Sequence, residues 1–170
     1  MELVDYTDAD LPLSIDLEMN PEVMTELGGP RSREAIERVH LRRVAPQADG
    51  GLWLKILPDE ASADAAGELG VWRSEWQGEE LWEVGWMLLP EFHGRGLGSE
   101  ALAMLIERLR AEPRFDAVHA FPGVTNAPSN GLCRKFDFVL VESGEVIEFA
   151  GRPFECNHWV LRTTAQFSPP

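Results

Sequence analysis

Apolar and polar positions along the chain switch between two rhythms, and the switches divide it into elements. Leu52-Trp53-Leu54-Lys55-Ile56-Leu57, closed by Pro58-Asp59, is a short and nearly continuous apolar run, the pattern of a buried strand. Residues 68–76 and 81–89 form two extended runs around Gln77-Gly78-Glu79-Glu80. A short connection containing Gly between such runs predicts a hairpin, and Pro90 closes its second strand. Over residues 96–111 the rhythm becomes helical. Leu102, Leu105, Ile106 and Leu109 recur at i, i+3, i+4 and i+7 and form one apolar face. Pro113 follows, where a helix cannot continue.

Weaker signals fill in the rest. Residues 3–6 suit a first strand, and residues 10–19 a first helix with Asp10 as N-cap and Pro12 in its first turn. Gly28-Gly29-Pro30 breaks the chain. Ser32 caps a second helix from 33 to about 44; Ile36, Val39 and Val44 are only partly periodic, which predicts a surface helix. Residues 46–51 and 61–66 are expected loops. Residues 117–121 form a short strand and 126–136 a shorter helix. Residues 138–141 and 146–149 are extended, with Gly144 at a bulge or kink. Residues 151–153 turn the chain into a last strand over 154–161, and 163–170 form a loose tail. The order is strand, two helices, three strands, helix, strand, helix, two strands. It predicts an α/β (α+β) fold, a mixed sheet of about seven strands with helices on both faces. The length, 170 residues, fits one domain over 1–170. Ligands of such folds sit where a strand meets a helix N-terminus.

Charge narrows the functional classes. A formal net charge of -14 argues against nucleic acid and anionic membranes, because phosphate binding needs clustered Lys and Arg. It suits a cationic or amine-bearing partner, or simply solubility. The start lacks a signal-peptide pattern, no apolar run reaches the roughly 20 residues of a membrane helix, and Cys133 and Cys156 make no disulfide framework. These features predict a cytoplasmic protein with reduced thiols. Cys156-Asn157-His158-Trp159 lacks a second Cys/His pair at zinc spacing and reads as core packing, so no metal is expected. Most of the six Trp residues are expected in the core.

The richest chemistry lies in residues 83–101. A strand ends, Gly94, Gly96 and Gly98 follow at alternate positions, and an amphipathic helix begins. Glycines let the backbone turn tightly and approach a ligand. The first N–H groups of the helix have no internal partner, so loop and helix together can bind an anion. Arg95 adds positive charge there. The segment lacks the Gly-Lys-Ser/Thr of a nucleotide P-loop and the spacing of a Rossmann fingerprint. A Gly-rich turn that merely caps a helix is the competing reading.

His93-Gly94-Arg95-Gly96-Leu97-Gly98 resembles motif A of the GCN5-related N-acetyltransferases, Gln/Arg-x-x-Gly-x-Gly/Ala, with His93 in place of the usual Gln or Arg. Asn126-x-x-Ser129-x-x-x-Cys133-x-Lys135-x-x-Phe138 resembles the family's Asn-x-x-Ser-x-x-x-Tyr-x-Lys-x-Gly-Phe, with Cys133 for Tyr and Asp137 for Gly. The resemblance covers 66–140 and, more loosely, 1–162. In style, 83–140 is similar to the ribosomal-protein branch.

The resemblance implies a mostly antiparallel sheet whose fourth and fifth strands splay apart, and acetyl-CoA as cosubstrate. Backbone groups of Met87, Leu88 and Leu89 would pair with the pantetheine arm. His93, Gly94, Arg95, Gly96, Leu97, Gly98 and Ser99 would wrap the pyrophosphate. Asn126 and Ser129 would contact the cofactor nearby, although Asn126 also suits a helix N-cap. The acceptor would be a primary amine, on a small molecule or a protein N-terminus. A homodimer is possible. Glu83 is the candidate base for the ammonium, with Glu68 a weaker one. A backbone N–H near Met87 or Leu88 would face the oxyanion. Cys133 could protonate the leaving thiolate, or simply fill the core. The competing classes are a catalytically weak acyl-CoA-binding module and an unrelated nucleotide-phosphate binder.

Overall fold

The computed structural model describes residues 1–45, 50–59, 64–149 and 152–163. The expectations for 46–49, 61–63, 151 and 164–170 lie outside the described residues. Seven strands form one sheet: β1 (Glu2–Asp5), β2 (Leu52–Leu57), β3 (Gly67–Trp76), β4 (Glu79–Leu88), β5 (Ala117–Ala120), β6 (Val139–Phe149) and β7 (Arg152–Arg162). Their spatial order is β1-β2-β3-β4-β5-β7-β6. Every neighbouring pair is antiparallel except β4–β5. The helices are α1 (Leu11–Glu18), α2 (Pro21–Met24), α3 (Arg33–Val44), α4 (Leu97–Arg110) and α5 (Ala127–Lys135).

One face of the sheet carries the main core. Strand alternation sends Leu52, Leu54 and Ile56 to it, together with Leu69, Val71, Trp82 and Val84. The stripe Leu102, Leu105, Ile106 and Leu109 of α4 meets them, and Cys133 of α5 joins the same cluster. Each large side chain fully buried there contributes about 1.5–3 kcal/mol.

On the opposite face, α1 and α3 bury Leu17 and Ile36 and share a buried charge network with β3. Arg43 lies 2.8 Å from Glu18 and 2.7 Å from Glu68, and Ser14 donates to Glu68 at 3.1 Å. Burial pushes the Glu68 carboxyl up, and the Arg43 cation opposes that shift. Glu68 is therefore committed to an ion pair beneath the helices, which argues against a role as base. The same network corrects the expectation of a surface α3, because Ile36, His40 and Arg43 are all buried.

Ser32 caps α3 as expected, accepting from the Ala35 N–H. Asp10 stands at the N-cap position of α1, but its carboxylate turns back to accept from the Thr7 N–H at 2.7 Å and from Lys55 at 2.7 Å. It caps the preceding 3-10 turn instead. The hairpin between β3 and β4 is tighter than expected, two residues rather than four. Gln77 and Gly78 both have positive φ, 52° and 85°, which matches the twist of the flanking strands. β6 runs through residues 139–149, and Gly144 (φ 77°) sits in a register shift between Ser143 and Glu145, at the bulge expected there. Of the Trp residues only Trp82 and Trp159 are buried. Trp53 and Trp72 are half-buried and stack on each other, centroids 4.9 Å apart, over the flat backbone left by Gly70 and Gly85.

Candidate functional site

Two features meet at the C-terminal end of β4. The first is a half-open strand. β3 pairs along all of β4, from Gly67–Leu88 to Trp76–Glu79. β5 bridges β4 at one register position, Glu83–His119. Beyond Glu83 the two parallel strands part.

Strand parity decides which groups face the gap. The Leu89 N–H donates to the Ala66 carbonyl at 2.9 Å, so Leu89 turns its main chain toward β3. Hydrogen-bonded positions alternate in an antiparallel pair. Met87 and Gly85 therefore face β3 as well, while Trp86 and Leu88 present N–H and C=O to the gap. This corrects the expectation that Met87, Leu88 and Leu89 all offer backbone groups there; of the three, Leu88 does. The His93 imidazole Nε2 donates to the Leu88 carbonyl at 3.0 Å, which gives the departure from Gln or Arg a local job.

The second feature is the loop between β4 and α4. A 3-10 turn over Pro90–Phe92 leads into Gly94 (φ 73°) and Gly96 (φ 82°), both left-handed. No atom lies within 4 Å of where a Cβ would stand on either one. The loop is thus open rather than sealed by side chains. A Cβ on Gly98 would come within 3.1 Å of Leu88 Cδ1, so a side chain there would need that methyl to give way by a few tenths of an ångström. The N–H groups of Ser99 and Glu100 both donate to the Gly96 carbonyl at 3.0 Å. Among the described residues, the N–H groups of Gly94, Arg95, Gly96, Leu97 and Gly98 have no backbone acceptor. Five successive free amides around two left-handed glycines, at the start of a 14-residue helix, suit a diphosphate. Ser99 differs from the other loop residues: its N–H is used locally, and its hydroxyl accepts from Lys135 Nζ. Lys135 and Arg95 bring positive charge to the loop of an otherwise acidic chain. Sequence reasoning noted Lys135 only as part of a motif.

Asn126 is the N-cap of α5, its side chain accepting from the Ser129 N–H at 3.0 Å. Behind it lies Asn130, which sequence reasoning passed over. Its amide donates to the Gly123 and Asn126 carbonyls at 2.9 and 2.8 Å, and its oxygen accepts from Asn157 and Trp159, both at 2.9 Å. Asn130 thus anchors the start of α5 to β7.

Glu83 stands where β4 and β5 part. It is half-buried, and burial pushes its carboxyl above the usual range; hydrogen bonds from Ser74 and Trp72 oppose that shift. Trp72 lies flat because Gly85 has no side chain: a Cβ there would fall 2.7 Å from the indole. Cys133 is not brought to this point. It has no exposed surface, lies in the core cluster, and burial pushes its thiol up to about 12. A thiol so enclosed packs rather than donates, which favours core filling over acid chemistry of the two readings the sequence left open. Among the described residues no group of three or more His, Cys, Asp or Glu could hold a metal ion, and no helix is long and apolar enough to cross a membrane.

Residues 1–139 match the family described as Acetyltransferase (GNAT) domain. Among solved structures, a spermidine N-acetyltransferase from Vibrio cholerae, in complex with CoA and spermine, superposes with a TM-score of 0.74 at 14% identity over 95% of each chain. A phosphinothricin acetyltransferase from Sinorhizobium meliloti, in complex with AcCoA, gives 0.75 at 19% identity over 99% of this chain and 91% of that one. An aminoglycoside acetyltransferase in complex with coenzyme A gives 0.71 at 16% identity over 94% and 93%. At these identities the likeness speaks for the fold. No curated protein matches the chain.

Proposed function

The chain belongs to the GNAT acetyltransferase domain family, and from that membership we propose that it moves an acetyl group from acetyl-CoA directly to a primary amine. The observation that carries the proposal is the parting of β4 from β5 just beyond Glu83, next to five unpartnered amides. The N–H groups of residues 94–98 hold the pyrophosphate, helped by Arg95 and Lys135. Trp86 and Leu88 pair with the pantetheine arm along the free edge of β4. Acetyl-CoA supplies the activated acyl group. Glu83 takes a proton from the acceptor ammonium, whose ordinary pKa near 10 keeps it charged at neutral pH. Burial favours this role by making Glu83 a stronger base than an exposed carboxylate. The Leu88 N–H, on the free edge, is the donor for charge developing on the thioester oxygen. With Cys133 enclosed, the leaving sulfur takes its proton from solvent.

Charge and the relatives support a cationic amine as the acceptor class. A net charge of -14 suits a cationic amine, and the names of two similar structures mention spermidine and aminoglycosides. The likeness of 83–140 to the ribosomal-protein branch keeps a protein N-terminus as the alternative acceptor. The proposal includes cytoplasmic action as one domain, and a homodimer through the exposed edge strand β6, where Val139, Leu140, Val141 and Val146 are solvent-facing. The enclosed Cys133 favours one second reading, a weak acyl-CoA-binding module.

The test is thiol release from acetyl-CoA with a panel of polyamines, aminosugars and N-terminal peptides, paired with calorimetry of CoA and ATP. Turnover with an amine supports the enzyme. CoA binding without any thiol release supports the binding module. Tight ATP binding without CoA binding would overturn both.

A further inference from the structure

The groups that hold Glu83 stand on β3, and a column of rings stands behind them. Trp72 is the register partner of Glu83, and Ser74 lies two residues along the same strand, so all three side chains leave one face of the sheet. Trp72 and Ser74 both hydrogen-bond the Glu83 carboxyl. The sole side-chain donor of a tryptophan is its indole Nε1–H, so turning the ring over would carry the donor away.

Three features fix the ring. Gly85 leaves it room: a Cβ there would lie 2.7 Å from Trp72 Cη2. Trp53 of β2 stacks on it, with centroids 4.9 Å and planes 12° apart. Trp53 in turn fills the space left by Gly70, where a Cβ would lie 2.8 Å from its Cδ2 and Cε3. The Arg43 guanidinium of α3 sits over the Trp53 ring, 4.5 Å from its centroid. Arg43 is itself gripped by Glu18 and Glu68. The column therefore runs from a buried ion network, through two indoles, to Glu83.

We propose that Trp72 is the positioning residue for Glu83, and that Trp53, held by Arg43, keeps Trp72 in place. The proposal rests on the reading of Glu83 as the base. Trp72 acts through Glu83 and need not touch the acceptor. A base must meet the acceptor N–H at hydrogen-bond distance, and ordering a free Glu side chain costs entropy. Trp72 and Ser74 order it before the acceptor arrives. An ionised carboxylate has about four lone-pair positions, so two donors leave places for an ammonium. The donors are also uncharged. A Lys or Arg in their place would hold the carboxylate but weaken it as a base. An indole and a hydroxyl hold it while burial keeps its pKa above the usual range.

The test is the pH profile of thiol release in the full chain. The titratable groups near Glu83 on this face are His119 on β5 and Cys156 and His158 on β7, with Glu68 and Arg43 behind the indoles. None of them is changed in Trp72→Phe, which keeps a ring and loses the N–H. Its acid limb should move up by roughly one pH unit, the tenfold that a hydrogen bond to a charged group is worth. Its plateau kcat should fall roughly threefold to tenfold, part of what a positioned base contributes, with KM for acetyl-CoA unchanged. Trp53→Leu should move both in the same direction, and Trp53→Phe, which restores a ring to the stack, should return them toward the parent. An acid limb that stays in place in Trp72→Phe, or a Trp53→Leu that behaves as the parent, would overturn the proposal. Nitrogen-15 NMR of the free parent reads the contact without turnover. The Trp72 Nε1–H resonance, assigned through bonds, should titrate with Glu83 above the ordinary carboxylate range and stop titrating in Glu83→Gln. An indole resonance indifferent to pH would overturn the proposal even if Trp72→Phe fails to fold. A parent that releases no thiol with any amine would instead defeat the acetyl-transfer reading, while the indole titration would still decide whether Trp72 holds Glu83.

Discussion

Replacing Glu83 by Gln separates basicity from shape. The amide oxygen of Gln can still accept from Trp72 and Ser74, the two groups that hold the carboxylate, so only the ability to take a proton is lost. A positioned base contributes roughly 10²–10⁴-fold. At about 1.4 kcal/mol per tenfold, the variant should lose roughly 3–5 kcal/mol of transition-state stabilisation. The assay is thiol release at saturating acetyl-CoA and amine across pH. In the parent, kcat should rise with pH along an acid limb lying above the ordinary carboxylate range, because burial raises the pKa of Glu83. In Glu83→Gln that limb should vanish. Stability should move the other way. A carboxyl whose folded pKa is raised favours the fold fully below its unfolded pKa and loses that contribution as pH rises through the folded value. Glu83→Gln should therefore be at least as stable as the parent at neutral pH, with the difference closing toward acid. A variant that keeps its kcat within about threefold, with the acid limb intact, would refute Glu83 as the base.

Three further substitutions probe the frame of the site. Gly96→Ala should cost about 1–2 kcal/mol in denaturant unfolding, from the left-handed φ alone since space is open, and should weaken CoA in calorimetry while leaving the Trp72–Glu83 contact alone. Asn130→Ala strips partners from Asn157 and Trp159 and should cost about 3 kcal/mol, read as a Tm drop of roughly 6–12 °C. Arg43→Met leaves Glu18 and Glu68 buried without their shared cation and should cost about 3–5 kcal/mol at neutral pH. That loss should shrink as pH falls toward the ordinary carboxylate range, because Glu68, already raised, then takes up its proton; a pH-independent loss would contradict the network.

Local pattern carried much of this molecule. The α4 stripe, the β2 alternation, the Ser32 cap and the Gly144 bulge all depend on residues a few positions apart, and the sequence shows them directly. The free-amide loop was legible for the same reason, since Gly94 and Gly96 are left-handed as that turn requires. What stayed hidden depends on partners far along the chain. Arg43, Glu18 and Glu68 look like three surface charges until α1, α3 and β3 meet. Met87 and Leu88 differ only in strand parity, which is set by the register with Ala66 and Gly67. The Trp residues looked like core, but the stacking of Trp53 on Trp72 over two glycines needs β2, β3 and β4 side by side. Cys133 stands where the motif it resembles carries Tyr, and the packing of α5 encloses it.

A crystal structure of the chain grown with coenzyme A bears most directly on the central claim. The account predicts pyrophosphate oxygens within about 3 Å of the amide nitrogens of residues 94–98, and the pantetheine arm between β4 and β5, hydrogen-bonded to the main chain of Trp86 or Leu88. Coenzyme A seated elsewhere, or β4 and β5 drawn together past Glu83 with the ligand excluded, would contradict it.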